Sequence, residues 1–307
     1  MSKLIPERPV YRRERLRVGY AALAVFVLLF LFHLLSSLLS FPGWILLKLL
    51  PMAVALLAPT LIFWMLRGRG YGSVLRFHAP RPLHIPFLLS AFFALLTGCL
   101  LLSVLCGGTE TLGNNSTSFE DVAVNGVLDG VLKALVLAIL PAALEEFFFR
   151  GVLCAEYERR GAIRAVLMSA LLFSLCHFDL RNLPVYLFSG VLLALVLLAT
   201  DSLPAAVLLH ACYNTISLFG QRYLNAFYRI TGGVELFLFA LALILLVSLA
   251  VFFSIGARIY RRLEQGGNED PRRDVPWNVQ FYTILDALVD PPVLICFVLS
   301  IVGLIIF

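Results

Sequence analysis

Apolar runs of roughly 17–25 residues, the length a helix needs to cross a bilayer, recur nine times along this chain. They fall near residues 18–40, 44–66, 85–106, 131–153, 163–180, 183–200, 204–220, 234–256 and 291–307. This pattern restricts the fold to an all-α, polytopic integral membrane helical bundle of about eight or nine transmembrane helices. The fifth to seventh runs lie so close together that their ends merge, and the last is short. Composition agrees: 61% of the 307 residues are hydrophobic and 14% charged, where a soluble domain carries about 25% charged residues.

Basic residues cluster at alternate ends of the runs, as they do in cytoplasmic loops. The N-terminal tail holds Lys3, Arg8, Arg12, Arg13, Arg15 and Arg17, and the loop after the second run holds Arg67, Arg69, Arg76 and Arg81. Arg150, Arg159, Arg160 and Arg164 come at and after the end of the fourth run, and Arg258, Arg261, Arg262, Arg272 and Arg273 follow the eighth. The intervening loop 107–130 has Glu110, Glu120, Asp121 and Asp129 but no Lys or Arg. The N-terminus is therefore expected in the cytoplasm. The net charge of +5 is spent flanking apolar segments and does not point to nucleic acid. The six cysteines lie in or beside apolar stretches without metal-type spacing, and read as small buried hydrophobes. The first run is too long for a signal-peptide core and lacks a small-residue cleavage site. The segment 279–289 reads either as an amphipathic helix on the membrane or as a surface turn.

Charges left inside the runs carry the functional information, because ionisable groups in lipid are costly and face a bundle interior. They are Glu145, Glu146, His177 and His210, joined by Asn214. His33 and Lys48 also interrupt apolar runs, and both read as residues near a membrane edge. On a helix Glu146 and Arg150 are i,i+4 and share a face, whereas Glu145 is rotated about 100° away from Glu146. Glu146 is then a structural carboxylate held by Arg150, and Glu145 points into whatever cavity the bundle encloses. The competing reading makes both glutamates the solvated cytoplasmic end of the fourth span. "HACYN" places His210 and Asn214 on one helical face beyond Pro204, a helix-start residue, and "FSLCH" does the same for Phe173 and His177.

Carboxylates in low-dielectric surroundings serve as general bases toward water, and imidazole or carboxamide groups ligate a metal or donate to an oxyanion. These are the parts of a glutamate-dependent hydrolase, with or without a divalent ion. No Ser or Cys is paired with a base, so a covalent nucleophile is not supported. HExxH, GxSG and GxGD are all missing.

EExxxR (Glu145, Glu146, Arg150), FxxxH (Phe173, His177) and HxxxN (His210, Asn214) occur in that order, each on an expected helix. The ordered set resembles the CAAX-protease and bacteriocin-processing (CPBP, or Abi) family of intramembrane proteases, over about residues 130–220. The resemblance implies a helical catalytic core at 131–220, while the apolar runs place a tail and three helices before it in 1–130 and C-terminal helices with a cytoplasmic loop after it in 221–307. It implies a catalytic cavity open to the cytoplasm, in agreement with Glu145 near the cytoplasmic end of its span. It also implies that Glu145 activates water with help from His177, that His210 and Asn214 stabilise the tetrahedral intermediate, and that Arg150 fixes Glu146.

The expected activity is therefore that of a membrane-embedded endopeptidase cutting a peptide or membrane-protein substrate near the cytoplasmic face. A divalent metal such as zinc would be held by His177, His210 and Asn214, and the residues do not choose between ligation and oxyanion donation. Two other classes stay open: a silent relative acting as a peptide-binding or immunity protein, and a proton-coupled transporter. Membrane lipid is the expected surrounding, in a bacterial plasma membrane, although the sequons at 114–117 also suit a eukaryotic endomembrane.

Overall fold

The structure, a computed structural model, describes residues 18–39, 45–68, 75–107, 124–265 and 276–306. In hydrocarbon every backbone N–H and C=O must find an internal partner, and a helix supplies these within one segment. Accordingly, the described residues form eleven helices and one 3₁₀ turn, Pro82–His84, with no strand among them. In chain order the helices are α1 (Val18–Leu39), α2 (Ile45–Arg67), α3 (Ile85–Gly107), α4 (Val127–Glu158), α5 (Ala162–Leu175) and α6 (Leu183–Thr200). They continue with α7 (Leu203–Phe219), α8 (Gln221–Thr231), α9 (Val234–Gln265), α10 (Trp277–Leu288) and α11 (Pro291–Ile306).

Six of these, α1, α2, α3, α4, α6 and α9, are long and apolar enough to cross a membrane. The count reaches eight if the bent pairs α7–α8 (74°) and α10–α11 (60°) each make one span. The expected fifth span is shorter than its apolar run. Helix α5 has 14 residues, about 21 Å at 1.5 Å per residue, and stops well short of a hydrocarbon core of about 30 Å. The chain then turns at Phe178, which adopts a left-handed φ of 52°. The segment at 279–289 is helical, forming most of α10.

Helix α4 is irregular in two places. Pro141 has no N–H to give back to the preceding turn, and a π-helical stretch at Leu135–Ile139 leads directly into it. A second π-helical stretch, Phe147–Cys154, carries Arg150. The largest core cluster surrounds this second half of α4, with Phe148, Phe149, Val152 and Leu153 fully buried among residues of α1, α2 and α5. Helices α5 and α6 cross closely at Gly190, where an added Cβ would lie 3.0 Å from the Cα of Ala170.

Several sequence expectations lie outside the described residues. They are the basic tail 1–17, the loop carboxylates Glu110, Glu120 and Asp121, the sequons, the polar stretch 266–274 and the side chain of Lys48.

Candidate active site

Glu145 and Glu146 sit in the interior of α4. The helix runs on to Glu158, 13 residues or about 20 Å beyond Glu145. Both glutamates are thus interior to the helix, and the competing reading of two solvated glutamates does not hold, because Glu146 is 0% exposed. The charges after Arg150 are paired within the protein. Glu156 accepts from Arg67 at 2.6 Å and Glu158 from Arg76 at 2.5 Å, with both carboxylates almost fully buried.

The two glutamates have unequal surroundings. Glu146 and Arg150 are both 0% exposed and form an i,i+4 ion pair, Nη1 to Oε1 at 2.9 Å. Arg150 also donates from Nη2 to the Gly190 carbonyl at 3.2 Å, and its guanidinium lies 4.4 Å from the centre of the Phe173 ring. Glycine at 190 thus serves two purposes, a close helix crossing and an approachable carbonyl. From α7, His210 donates its Nδ1 proton to Glu146 Oε1 at 2.8 Å, because an ionised carboxylate can only accept. His210 Nε2 then faces Glu145, 3.8 Å from Oε2. One imidazole bridges the two carboxylates. Glu145 keeps 16% of its side-chain surface accessible, so it is the member of the pair that water can reach.

His177 lies two residues beyond the last residue of α5, a consequence of that helix ending early. Its Nδ1 hydrogen-bonds the Phe173 carbonyl at 2.8 Å. Carbonyls only accept, so Nδ1 carries the proton and Nε2 keeps its lone pair free for chemistry. This bond also completes the helix end. The Leu172 carbonyl takes the Cys176 N–H, the Ser174 carbonyl the His177 N–H, and the Leu175 carbonyl the Phe178 N–H and the Ser300 hydroxyl. Tyr186 of α6 stacks on the His177 ring at 3.9 Å and 11°, holding its plane. The Phe173 ring meets both imidazoles edge-on, His177 at 4.9 Å and His210 at 5.9 Å between centroids.

Glu145 and His177 line one cavity of about 290 Å³ together with His33, Pro141, Phe149 and Cys176. Its remaining walls are apolar side chains from the C-terminal half of α1, the N-terminal half of α2 and the first half of α4. His33 is the site residue that the sequence reading set aside. It sits six residues, about 9 Å, inside the end of α1, with its ring edge-on to Phe178 at 5.5 Å. No motif spacing could have found it, since only tertiary packing brings α1 to α4.

Asn214 is placed one turn beyond His210 on the α7 face that packs on α4. Its amide points to the Ala138 carbonyl at 3.5 Å, and it is not among the residues lining the cavity. The expected metal ligands therefore do not assemble. The Asn214 amide is turned to the backbone, His210 and Asn214 do not line the cavity that holds His177, and no three His, Cys, Asp or Glu side chains among the described residues are grouped to hold an ion. The set His177, His210 and Asn214 does not fit a bound divalent cation in this arrangement.

Fold and site together define a polytopic helical membrane protein with a carboxylate–imidazole cluster enclosed at mid-helix, in the manner of a membrane-embedded hydrolase. Residues 127–216, which contain every residue of the three motifs, match the family model described as type II CAAX prenyl endopeptidase Rce1-like. The matched segment coincides with the core that resembles the CAAX-protease (CPBP) family and supports that resemblance. No curated protein and no solved structure matches the chain.

Proposed function

We propose that this chain is an intramembrane endopeptidase in which Glu145 activates the attacking water. The observation that carries the reading is the placement of Glu145, which lines a cavity with His177 while His210 holds it apart from the buried Glu146. Water entering the cavity gives a proton to the Glu145 carboxylate, and the resulting hydroxide attacks the carbonyl carbon of the scissile peptide. The tetrahedral intermediate collapses by breaking the C–N bond, and Glu145 returns the proton to the departing amine. His177, through its free Nε2, orients the water. His210 stabilises the oxyanion only with a second proton on Nε2. Asn214 contributes its amide if it turns from Ala138 toward the substrate.

The substrate fitting this site is a membrane-associated peptide or membrane protein whose chain enters between α1, α2 and α4. The matched family model is described as a CAAX prenyl endopeptidase, and the apolar cavity walls suit a lipid-modified or transmembrane peptide. The test is comparative proteomics of membranes carrying wild type or Glu145→Gln, followed by cleavage of the accumulating peptide with purified protein. The substitution keeps the side chain's size and removes the base, so the peptide should accumulate uncut. Cleavage by Glu145→Gln at the wild-type rate overturns the assignment.

A further inference from the structure

A second cavity, about 590 Å³, opens at the arginine-rich end of the bundle, away from the glutamates. Four arginines line it, Arg67, Arg159, Arg160 and Arg164, against three carboxylates, Glu156, Asp286 and Asp290. Most of these charges are already engaged with one another. Glu156 accepts from Arg67 at 2.6 Å and from Arg159 at 3.2 Å, and Asp286 pairs with Arg160 at 3.6 Å. Asp290 lies against the first turn of α1, its Oδ2 2.9 Å from where a Cβ on Gly19 would be.

Arg164 differs from the other three. Only 7% of it is exposed, no ion pair joins it to a carboxylate among the described residues although Asp286 and Asp290 line the same cavity, and its Nε has no hydrogen-bond partner. The guanidinium is held 5.0 Å from the centre of the Tyr157 ring, which positions the cation without neutralising it. It also stands in the first turn of α5, where the positive end of the helix dipole adds to its charge. A buried cation with no carboxylate in direct contact is costly, and here it faces a polar cavity large enough for a tetrahedral oxyanion. Exposed Val289 lies at the rim, and the neighbouring α10 presents Phe281 and Tyr282 outward, as interfacial helices do.

We propose that this cavity binds a phosphate group, held by the fork of Arg164 with Arg160 beside it, and supplied by an anionic phospholipid of the arginine-rich leaflet or by free phosphate. Guanidinium and phosphate match in geometry and charge, and basic surfaces at that leaflet draw anionic headgroups.

The test uses the full chain purified in a phosphate-free detergent. One arm titrates inorganic phosphate while following Tm. The other transfers the protein into nanodiscs with or without phosphatidylglycerol, and counts retained lipid by native mass spectrometry. Saturable stabilisation by phosphate alone identifies free phosphate as sufficient, and an effect confined to phosphatidylglycerol identifies the lipid. In either case Arg164→Gln should weaken binding about tenfold or more, as loss of a charge-assisted fork does. Arg164→Lys, which retains the charge, should weaken it less and serves if the glutamine variant does not fold. Arg159→Gln, altering an arginine with 46% of its side chain exposed, should leave binding within about twofold of wild type, as exposed ion pairs contribute little. The proposal is overturned if neither ligand stabilises wild type, or if Arg159→Gln weakens binding as much as Arg164→Gln, which would indicate diffuse surface charge.

Discussion

His210 and Glu146, 64 positions apart in sequence, are joined by a 2.8 Å hydrogen bond across the α4–α7 contact. The bond ties the HxxxN helix to the EExxxR helix and gives Glu146 a second donor besides Arg150. The two glutamates therefore answer to different measurements. Glu146→Leu strands the fully buried Arg150 and should cost about 3–5 kcal/mol of stability, because it removes one member of a buried pair. Glu145→Gln should change stability by less than about 1 kcal/mol, while lowering cleavage by roughly 10²–10⁴-fold, the usual span of a general base. Thermal unfolding alongside a cleavage assay separates them. Equal destabilisation by both substitutions would mean that the pair is not divided as described.

Gly190→Ala should damage the same network without touching a charge. The new methyl meets the Cα and Cβ of Ala170 at 3.0 Å, so α5 and α6 must separate or distort. Overpacking of this kind costs about 1–3 kcal/mol. The shift also moves the Gly190 carbonyl away from Arg150 Nη2. A lower Tm with reduced cleavage is expected, and Ala170→Gly, by making room, should restore part of both. If the double variant is no better than Gly190→Ala, the crossing is not the cause.

Much of this site was legible before any coordinates because its pairings are local. Glu146 with Arg150 is an i,i+4 contact, and His177 reaches the carbonyl of Phe173 by the same spacing. The nine apolar runs likewise mark α1 to α7, α9 and α11. What failed was the reading of ends. Phe178 extends an apolar run past Leu175, yet it is buried against Phe26 and Phe30 in a turn, and apolarity alone cannot tell a buried turn from another turn of helix. In α4 the reverse occurred. Charges that announce a water-exposed end are neutralised by Arg67 and Arg76, so the helix continues to Glu158. His33 and Tyr186 were invisible for a third reason, since their roles exist only through contacts between segments distant in sequence.

His33 should affect turnover more than stability. It shares the cavity with Glu145 and His177, and its edge-on contact with Phe178 is one that another ring can keep. His33→Phe preserves that packing and removes the polar nitrogens, so Tm should move by no more than a few degrees while cleavage falls by about tenfold or more, toward the low end of acid–base effects. His33→Gln, which retains a polar group, should recover part of the loss. Full activity in His33→Phe would reduce His33 to a wall of the cavity.

The cavity's position relative to the arginines makes a prediction about access. Its walls come from the ends of α1 and α2 remote from Val18 and Arg67, and Glu145 is about 20 Å from the Glu158 end of α4. The lining residues therefore lie toward the ends of α1 and α2 opposite the arginine-rich ends. Cysteines placed singly at Leu49 and at Arg159, in a chain with the native thiols replaced, should react with an impermeant reagent from opposite faces of sealed vesicles. Labelling of both from the same face would contradict this geometry.

Chelation tests the donor geometry from another side. A zinc hydrolase of the usual kind needs three protein ligands with an open fourth position. Here both His177 and His210 have Nδ1 occupied, His210 Nε2 is turned to Glu145, and the Asn214 amide contacts Ala138. Using these residues as a ligand set requires Asn214 to swing away from α4 and His210 to reorient, breaking or lengthening the bond to Glu146. In the mechanism proposed above Glu145 activates water without a metal, so purified protein treated with a strong chelator should retain most of its cleavage. Metal analysis of wild type and His210→Ala should give equal, substoichiometric zinc. Loss of activity on chelation, restored by zinc and accompanied by one bound ion that His210→Ala lacks, would mean that the cluster rearranges around a metal.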